Sequence, residues 1–295
     1  SFLKVPINYS IVTNIDKEHL DYYKNFVNLI EAFKTFIEKT PPIGKSFLFL
    51  DDLNIRKIIK KLKTKNYFTF GFHKNSNYQI CNTKYEINYS KFDLKIKNVS
   101  SKNFYIKNII LNLIGKHNVV NAVAAISLCL NLGLKESIIK KVLKNFSGVQ
   151  RRLTKVFKKN KIEFYDDYAH HPTEISSVLE GVKTVAKKRK IISVFQPHRY
   201  SRIKSLKIEF ASSFKNSNLV ILCPIYPAGE PVDRTYNQNR FAQLISKLSK
   251  TQVILIGNET DLTKYFKKNL IKDEIVIGMG AGSISKWIYN LKNTL

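Results

Sequence analysis

The pattern of apolar and polar positions changes character near Ser147-Gly148. Beyond that point short apolar runs alternate with segments of helical period. Strands are predicted at 161–165, 191–195, 219–222, 252–256 and 274–277, and helices at about 173–187, 203–214, 239–249, 259–266 and 283–291. The strands are apolar throughout rather than at every second residue. That predicts a parallel sheet covered by helices on both faces.

The earlier part is more mixed. Residues 9–13 read as a short buried strand, 19–39 as a helix stopping ahead of Pro41-Pro42, and 46–50 as a second strand. A helix through 62 and a strand at 67–71 follow. From 78 to 113 the alternation has period two with Asn, Ser and Lys between the runs, which predicts hairpins. A helix with Ala at its packing positions is predicted at 118–132, closed by Gly133. The chain therefore reads as α/β in two domains, 1–147 and 148–295.

In parallel sheets ligands bind beyond the carboxyl ends of the strands. The unusual polar segments of the second part all follow predicted strands: DDYAHHP at 166–172, QPHRYSR at 196–202, PIYPAGEP at 224–231 and GMGAGS at 278–283. Loops leading from helix to strand, such as KNSN at 215–218, are plain. One rim of the sheet thus gathers acids, histidines, arginines and glycines.

Asp166, Asp167, Tyr168, His170 and His171 lie within six residues. Two adjacent acids can bind a cation or accept protons. Two adjacent histidines cannot both point inward from a regular strand, so a shaped loop is expected. Pro172 suits a first helical turn, and Thr173 and Glu174 suit the positive end of its dipole. The plainer reading is a helix-start loop with incidental histidines. No third ligand stands at zinc spacing. His198, Arg199 and Arg202 follow a strand, and arginines three apart can grip carboxylate or phosphate bidentately; the alternative is a solvated basic turn. GMGAGS either admits an anion to backbone N–H groups or packs tightly. GKHNVVNA at 115–122 opens a helix with Asn118 and Asn121 on one face, unless Asn118 merely caps it. TNIDKEHLD at 13–21, with Asp16, Glu18, His19 and Asp21, can coordinate a divalent ion or cap the helix that follows.

The formal charge is +28, from 50 basic and 22 acidic residues, which raises a nucleic-acid partner as a competing class. Lysine is spread along the whole chain together with Asn, Ile, Phe and Tyr, the mixture that AT-rich codon usage produces. No stretch gathers arginine with aromatics, so no nucleic-acid partner is expected, although a positive field draws in anionic substrates. Cys81, Cys129 and Cys223 have no CxxC spacing and stand in apolar surroundings, predicting free buried thiols and a reducing cytoplasm. No apolar run reaches the roughly 20 residues of a membrane span, and SFLKVPINYS is unlike a signal peptide.

Taken together these segments resemble the Mur ligase family along nearly the whole chain. TNIDKEHLD is similar to its TNI-x-x-DHLD element, with Glu18 where aspartate is usual. GKHNVVNAVAA is similar to its G-x-HN-x-x-N-AxAA element, and FSGVQRRL at 146–153 to the opening of its third domain. DDYAHHPTE, FQPHRYSR, YPAGE and GMGAGSI resemble the member that takes UDP-N-acetylmuramate and L-alanine. The muropeptide ligase of the same family shares HHPT but differs where FQPHR stands, and is the alternative reading together with a non-catalytic remnant.

The resemblance implies part of the family's central ATP-binding domain followed by its Rossmann-like C-terminal domain, with ATP and Mg2+ as cofactors. The implied chemistry is a carboxylate attacking the γ-phosphate of ATP, then an amine attacking the acyl phosphate, in peptidoglycan synthesis. His19 is implied as a magnesium ligand, and Asn118, Asn121 and Tyr168 as nucleotide contacts. Arg152 is implied to reach the ATP phosphates, with Asp167 helping to hold the nucleotide. His170, His171, His198, Arg199 and Arg202 are implied to line the cleft for muramate and alanine. No GxxxxGK[ST] occurs in the chain, and the family's first domain has no counterpart. The expectation is a fragment that begins just after an acidic, magnesium-binding element and is inactive alone.

Overall fold

A computed structural model describes residues 2–86, 88–99 and 103–295, and of Asp21 the backbone alone. The expected acidic element ahead of Ser1, and positions 87 and 100–102 of the expected hairpins, lie outside the described residues. The chain divides into two compact units, Ser1–Phe146 and Ser147–Leu295.

The first unit holds a six-stranded sheet in chain order: β1 (Tyr9–Val12), β2 (Lys45–Phe49), β3 (Tyr67–Gly71), β4 (Tyr78–Tyr85), β5 (Ser90–Ile96) and β6 (Phe104–Leu111). The first four strands are parallel and the last three form an antiparallel meander. The period-two stretch is thus three strands, with Phe92, Leu94 and Ile96 of β5 buried on one face. The helix expected over 19–39 is two helices, α1 (Leu20–Tyr23) and α2 (Phe26–Glu38). Lys24 breaks them with φ 70°, and the Asn25 side chain caps α2 by accepting from Asn28 N at 2.9 Å. α3 (Leu53–Ile59), α4 (Lys116–Asn131) and α5 (Glu136–Asn145) complete the unit. Val119 and Val123 of α4 pack with Phe47, Phe70 and Tyr78 of the sheet.

The second unit has the sheet order β11-β10-β9-β12-β8-β7. These are β7 (Thr154–Lys159), β8 (Ile162–Asp167), β9 (Ile191–Phe195), β10 (Leu219–Leu222), β11 (Gln252–Leu255) and β12 (Ile275–Met279). Five strands are parallel, and β7 runs antiparallel along the edge. That edge strand, with its lysines, is an addition to the expected pattern. Phe157 on β7 stacks on Phe164 of β8 at 4.1 Å between centroids, burying apolar surface worth about 2 kcal/mol per large side chain. The helices are α6 (Pro172–Ala186), α7 (Tyr200–Ser205), α8 (Lys207–Ser212), α9 (Gln238–Ser249), α10 (Glu259–Asn269) and α11 (Ile284–Thr294). The helix expected over 203–214 is split by Leu206, whose φ of −125° is outside the helical range. All five residues of β9 are buried, as a strand covered on both faces requires.

The expectation of three buried thiols needs correcting. Cys223 is buried, and burial pushes its thiol up to about 12, whereas Cys81 and Cys129 are half-buried. Cys81 stands just before a register shift in the meander, and its Sγ lies 2.9 Å from the Tyr105 hydroxyl.

Candidate active site

In the second unit the chain leaves β8 for β9, and β12 later fills the gap between them. Such a reversal opens a crevice at the carboxyl ends of the strands. The polar loops meet there.

The acidic pair at the end of β8 is turned inward. Asp167 is 2% exposed, accepting from Leu153 N at 2.6 Å and Ala169 N at 2.7 Å. Burial pushes its carboxyl up to about 6, against those donors and the charge of Arg152. It ends a strand rather than standing on a loop, and both oxygens serve the backbone around it. Asp166 accepts from Ser285 Oγ at 2.6 Å, and Arg151 Nε is 3.7 Å away. Burial raises Asp166 too, opposed by Ser285 and Arg151.

Arg151 stands at φ 60°, donates to Gly280 O at 2.7 Å, and holds its guanidinium 4.6 Å from the Tyr168 ring centroid. Arg152 beside it is more than half exposed, with Nη1 4.0 Å from Glu174 Oε1. Glu174 fastens the start of α6. Its Oε2 accepts from the backbone N–H of His170 at 3.0 Å and of His171 at 3.2 Å, and lies 3.3 Å from His170 Nδ1. Burial works to raise the Glu174 pKa, but the His170 ring and amide, with Arg152, outweigh it and hold it at about 2. His171 is 5% exposed and stands at the N-cap of α6. His170 instead faces the neighbouring loop.

Tyr168, His170, His198 and Tyr226 form a row of rings across the rim. Tyr168–His170 are 5.0 Å apart, His170–His198 5.6 Å, and His198–Tyr226 stack at 5.7 Å with planes 14° apart. Burial, then the charges of His170, Arg202 and Arg199, lower the His198 pKa to about 4 against the opposing Glu230. His198 is therefore a neutral imidazole at neutral pH. Arg199 is exposed at the N-cap of α7 with φ 68°, and Arg202 is half-buried one turn on.

The glycines of 278–283 are explained by close packing. Gly280 has φ 149°, and a Cβ there would lie 2.8 Å from Gln196 O. A Cβ on Gly282 would lie 2.5 Å from Tyr226 Cγ and 2.6 Å from Gln196 Oε1. Gln196 Oε1 also accepts from Ile284 N at 3.0 Å, occupying the start of α11.

In the first unit His19 is exposed, at φ 56°, at the N-cap of α1 with no capping bond from its ring. Asn118 is 9% exposed and donates from Nδ2 to Ile114 O at 2.8 Å, tying α4 to the turn before it; Asn121 is exposed. Among the described residues no group of three or more His, Cys, Asp or Glu is arranged to hold a metal.

The second unit therefore brings Tyr168, His170, His198 and Arg199 into two adjoining loops with Arg202 in α7, and turns Asp167 and His171 into the structure. Sequence reasoning did not single out Arg151, Gln196, Tyr226 or Glu230. Tyr226 and Glu230 lie in a polar segment following a strand, which was the available signal.

Residues 1–129 match the Mur ligase middle domain, and residues 151–282 match the domain described as Mur ligase, glutamate ligase domain. The chain is 48% identical over 291 residues to UDP-N-acetylmuramate–L-alanine ligase of Pelagibacter ubique (strain HTCC1062), covering 99% of this chain and 63% of that protein. It is 34% identical to the ligase of the same name from Agrobacterium fabrum (strain C58 / ATCC 33970), covering 100% and 63%. The crystal structure of UDP-N-acetylmuramate-alanine ligase from Thermotoga maritima has a TM-score of 0.77 at 25% identity, covering 99% of this chain and 60% of that one. The chain thus spans less than two thirds of the length of these relatives.

Proposed function

The chain belongs to the Mur ligase family, and we propose that it supplies two domains of an ATP-dependent ligase joining L-alanine to UDP-N-acetylmuramate in peptidoglycan synthesis. The observation that carries the reading is the meeting of two loops at the carboxyl ends of β8 and β9 through the His170–His198 contact at 5.6 Å. One loop bears Tyr168 and His170 beside Arg152, and the other bears Arg199 and Arg202. The substrates named for the relatives bring carboxylates and phosphates, which a planar guanidinium matches bidentately. The ATP-dependent step puts the reaction in the cytoplasm. No helix among the described residues is long and apolar enough to cross a membrane.

In the reaction a muramate carboxylate oxygen bonds to the γ-phosphorus of ATP as the bond to ADP breaks. The alanine amine then bonds to the acyl carbon, loses a proton, and phosphate departs with the C–O bond electrons. Arg152, exposed and loosely paired, is the cation for the ATP phosphates. Tyr168, Asn118 and Asn121 are nucleotide contacts, with Asn118 shaping the helix start from beneath. Arg199 and Arg202 hold carboxylate or phosphate of the two other substrates. His198, a neutral and weakly basic imidazole beside His170, lines the cleft for the two substrates. Asp167 and His171 act from beneath, fixing the loop turns.

His19 fits Mg2+ as a single donor. It is exposed and its ring makes no capping bond, and Mg2+ keeps several waters and phosphate oxygens in its shell. That ion would offset phosphate charge during transfer.

The test is a hybrid in which this chain replaces the matched region of the Pelagibacter ubique ligase. Phosphate release should require ATP, UDP-N-acetylmuramate and L-alanine together. Arg152→Ala in the hybrid should lower kcat/KM on the order of a hundredfold with unchanged circular dichroism. Release independent of L-alanine, or preference for a tripeptide over it, would sink the reading.

A further inference from the structure

The segment Tyr226–Glu230 is fastened to residues 197–201 at both its ends. Tyr226 N donates to Pro197 O at 2.8 Å, and Arg199 N donates to Tyr226 O at 2.9 Å, closing a parallel bridge between His198 and Tyr226. The Tyr226 ring lies flat against His198. Its other neighbour is Gly282, whose lack of a side chain leaves the ring room. Past Tyr226 the chain turns at Ala228 (φ 51°) and Gly229 (φ 84°), with Glu230 N donating back to Pro227 O at 3.1 Å. The turn returns the Glu230 carboxylate to the first turn of α7. There Oε2 accepts from Ser201 N at 3.1 Å and Oε1 from Ser201 Oγ at 2.5 Å, while the Tyr200 amide and the Arg199 charge also favour the carboxylate.

This places a fixed negative group at the amide end of a short helix, where donors are otherwise unsatisfied. It also explains how Arg199 holds φ 68°, a conformation that costs a non-glycine residue free energy unless the surroundings enforce it. Arg199 is flanked by its own amide bonded to Tyr226 and by two residues bonded to Glu230. The carboxylate is engaged by Ser201 and makes no ion pair with Arg199 among the described residues. The strap thereby holds the Arg199 backbone without a direct ion pair to its guanidinium.

We propose that Tyr226 and Glu230 are positioning residues: the strap they form fixes Arg199 and His198, and so sets affinity for the carboxylate of the amino-acid substrate. The proposal rests on the reading of the 196–202 loop given above. A structural brace would act on stability or on all substrates alike. A strap under Arg199 acts where Arg199 binds and leaves ATP unaffected.

The experiment uses Glu230→Ala and Glu230→Gln in two settings. In the hybrid ligase, Glu230→Ala should raise the KM for L-alanine on the order of tenfold or more while the KM for ATP stays unchanged. Glu230→Gln keeps an acceptor oxygen for Ser201 and should recover most of the loss. In the chain itself, amide hydrogen exchange at Tyr200 and Ser201 should speed up in Glu230→Ala, with exchange in β9 and β10 unaltered. Unchanged exchange at those two amides overturns the strap. Faster exchange with an unaltered KM for L-alanine overturns its role in binding. An unsubstituted hybrid that ignores L-alanine overturns the reading of function instead, and the exchange comparison then decides the strap alone.

Discussion

His198 and Asp167 stand on one rim and are perturbed in opposite senses by the same cause, burial. A neutral imidazole is favoured at His198, whose pKa falls from 6.5 to about 4, so the unfolded chain binds its proton more readily across that interval. Stability from this residue is present above about pH 6.5 and is lost as pH falls toward 4. Asp167 rises from 3.8 to about 6, so its ionisation costs stability as pH rises through that interval. The two slopes oppose one another between about pH 4 and 6. His198→Gln leaves the Asp167 slope uncompensated. In urea unfolding, the variant should therefore gain stability relative to the unsubstituted chain as pH falls from 6.5 to 4. Parallel pH profiles would show that the His198 pKa is the same in the folded and unfolded chain. Which residues would gather here was legible from the residue types following each strand. That Asp166 and Asp167 both turn inward was not, because period-two alternation fails in a strand whose two faces are both covered.

The segment 278–283 shows why an element can be recognised without its reason being known. A glycine-rich turn between strand and helix suits either an anion or close packing, and the pattern of residues is the same. Here Gly282 lies under Tyr226 and beside Gln196, whose own amide group ties Ser283 and Ile284 to β9. Gly282→Ala should therefore push the Tyr226 ring off its place, costing about 1–3 kcal/mol as overpacking does. The readouts are a lowered Tm and a shifted His198 ring resonance, since His198 stacks on the displaced ring. An unchanged Tm and unmoved His198 signals would mean that the turn yields without cost. The elements hidden from the sequence have local causes. Lys24 and Leu206 interrupt stretches of helical apolar period by leaving helical dihedrals at single residues. β7 carries lysines on an exposed edge, a pattern shared with solvated loops.

At the scale of the whole molecule, the second unit contains what an independent domain requires. Its six strands pair among themselves, and helices flank a core of Phe164, Val194, Ile221, Val276, Leu262 and Ile288. One of its buried carboxylates is also satisfied internally. Glu163, 7% exposed, is bonded by Lys155 and by Arg189, the latter at 2.5 Å, and Arg189 also reaches Asp273 and Glu274 O. A buried carboxylate with two cationic partners is costly to break and tolerable to keep. Its size falls in the common range for single domains. Residues 147–295 expressed alone should therefore unfold cooperatively, with near-ultraviolet circular dichroism from the packed aromatic residues. Glu163→Ala should weaken that fragment by about 1–3 kcal/mol, since Arg189 keeps Asp273 and the Glu274 carbonyl as partners and Lys155 is exposed. A fragment that binds hydrophobic dyes and melts without a transition would mean that its core needs residues outside it.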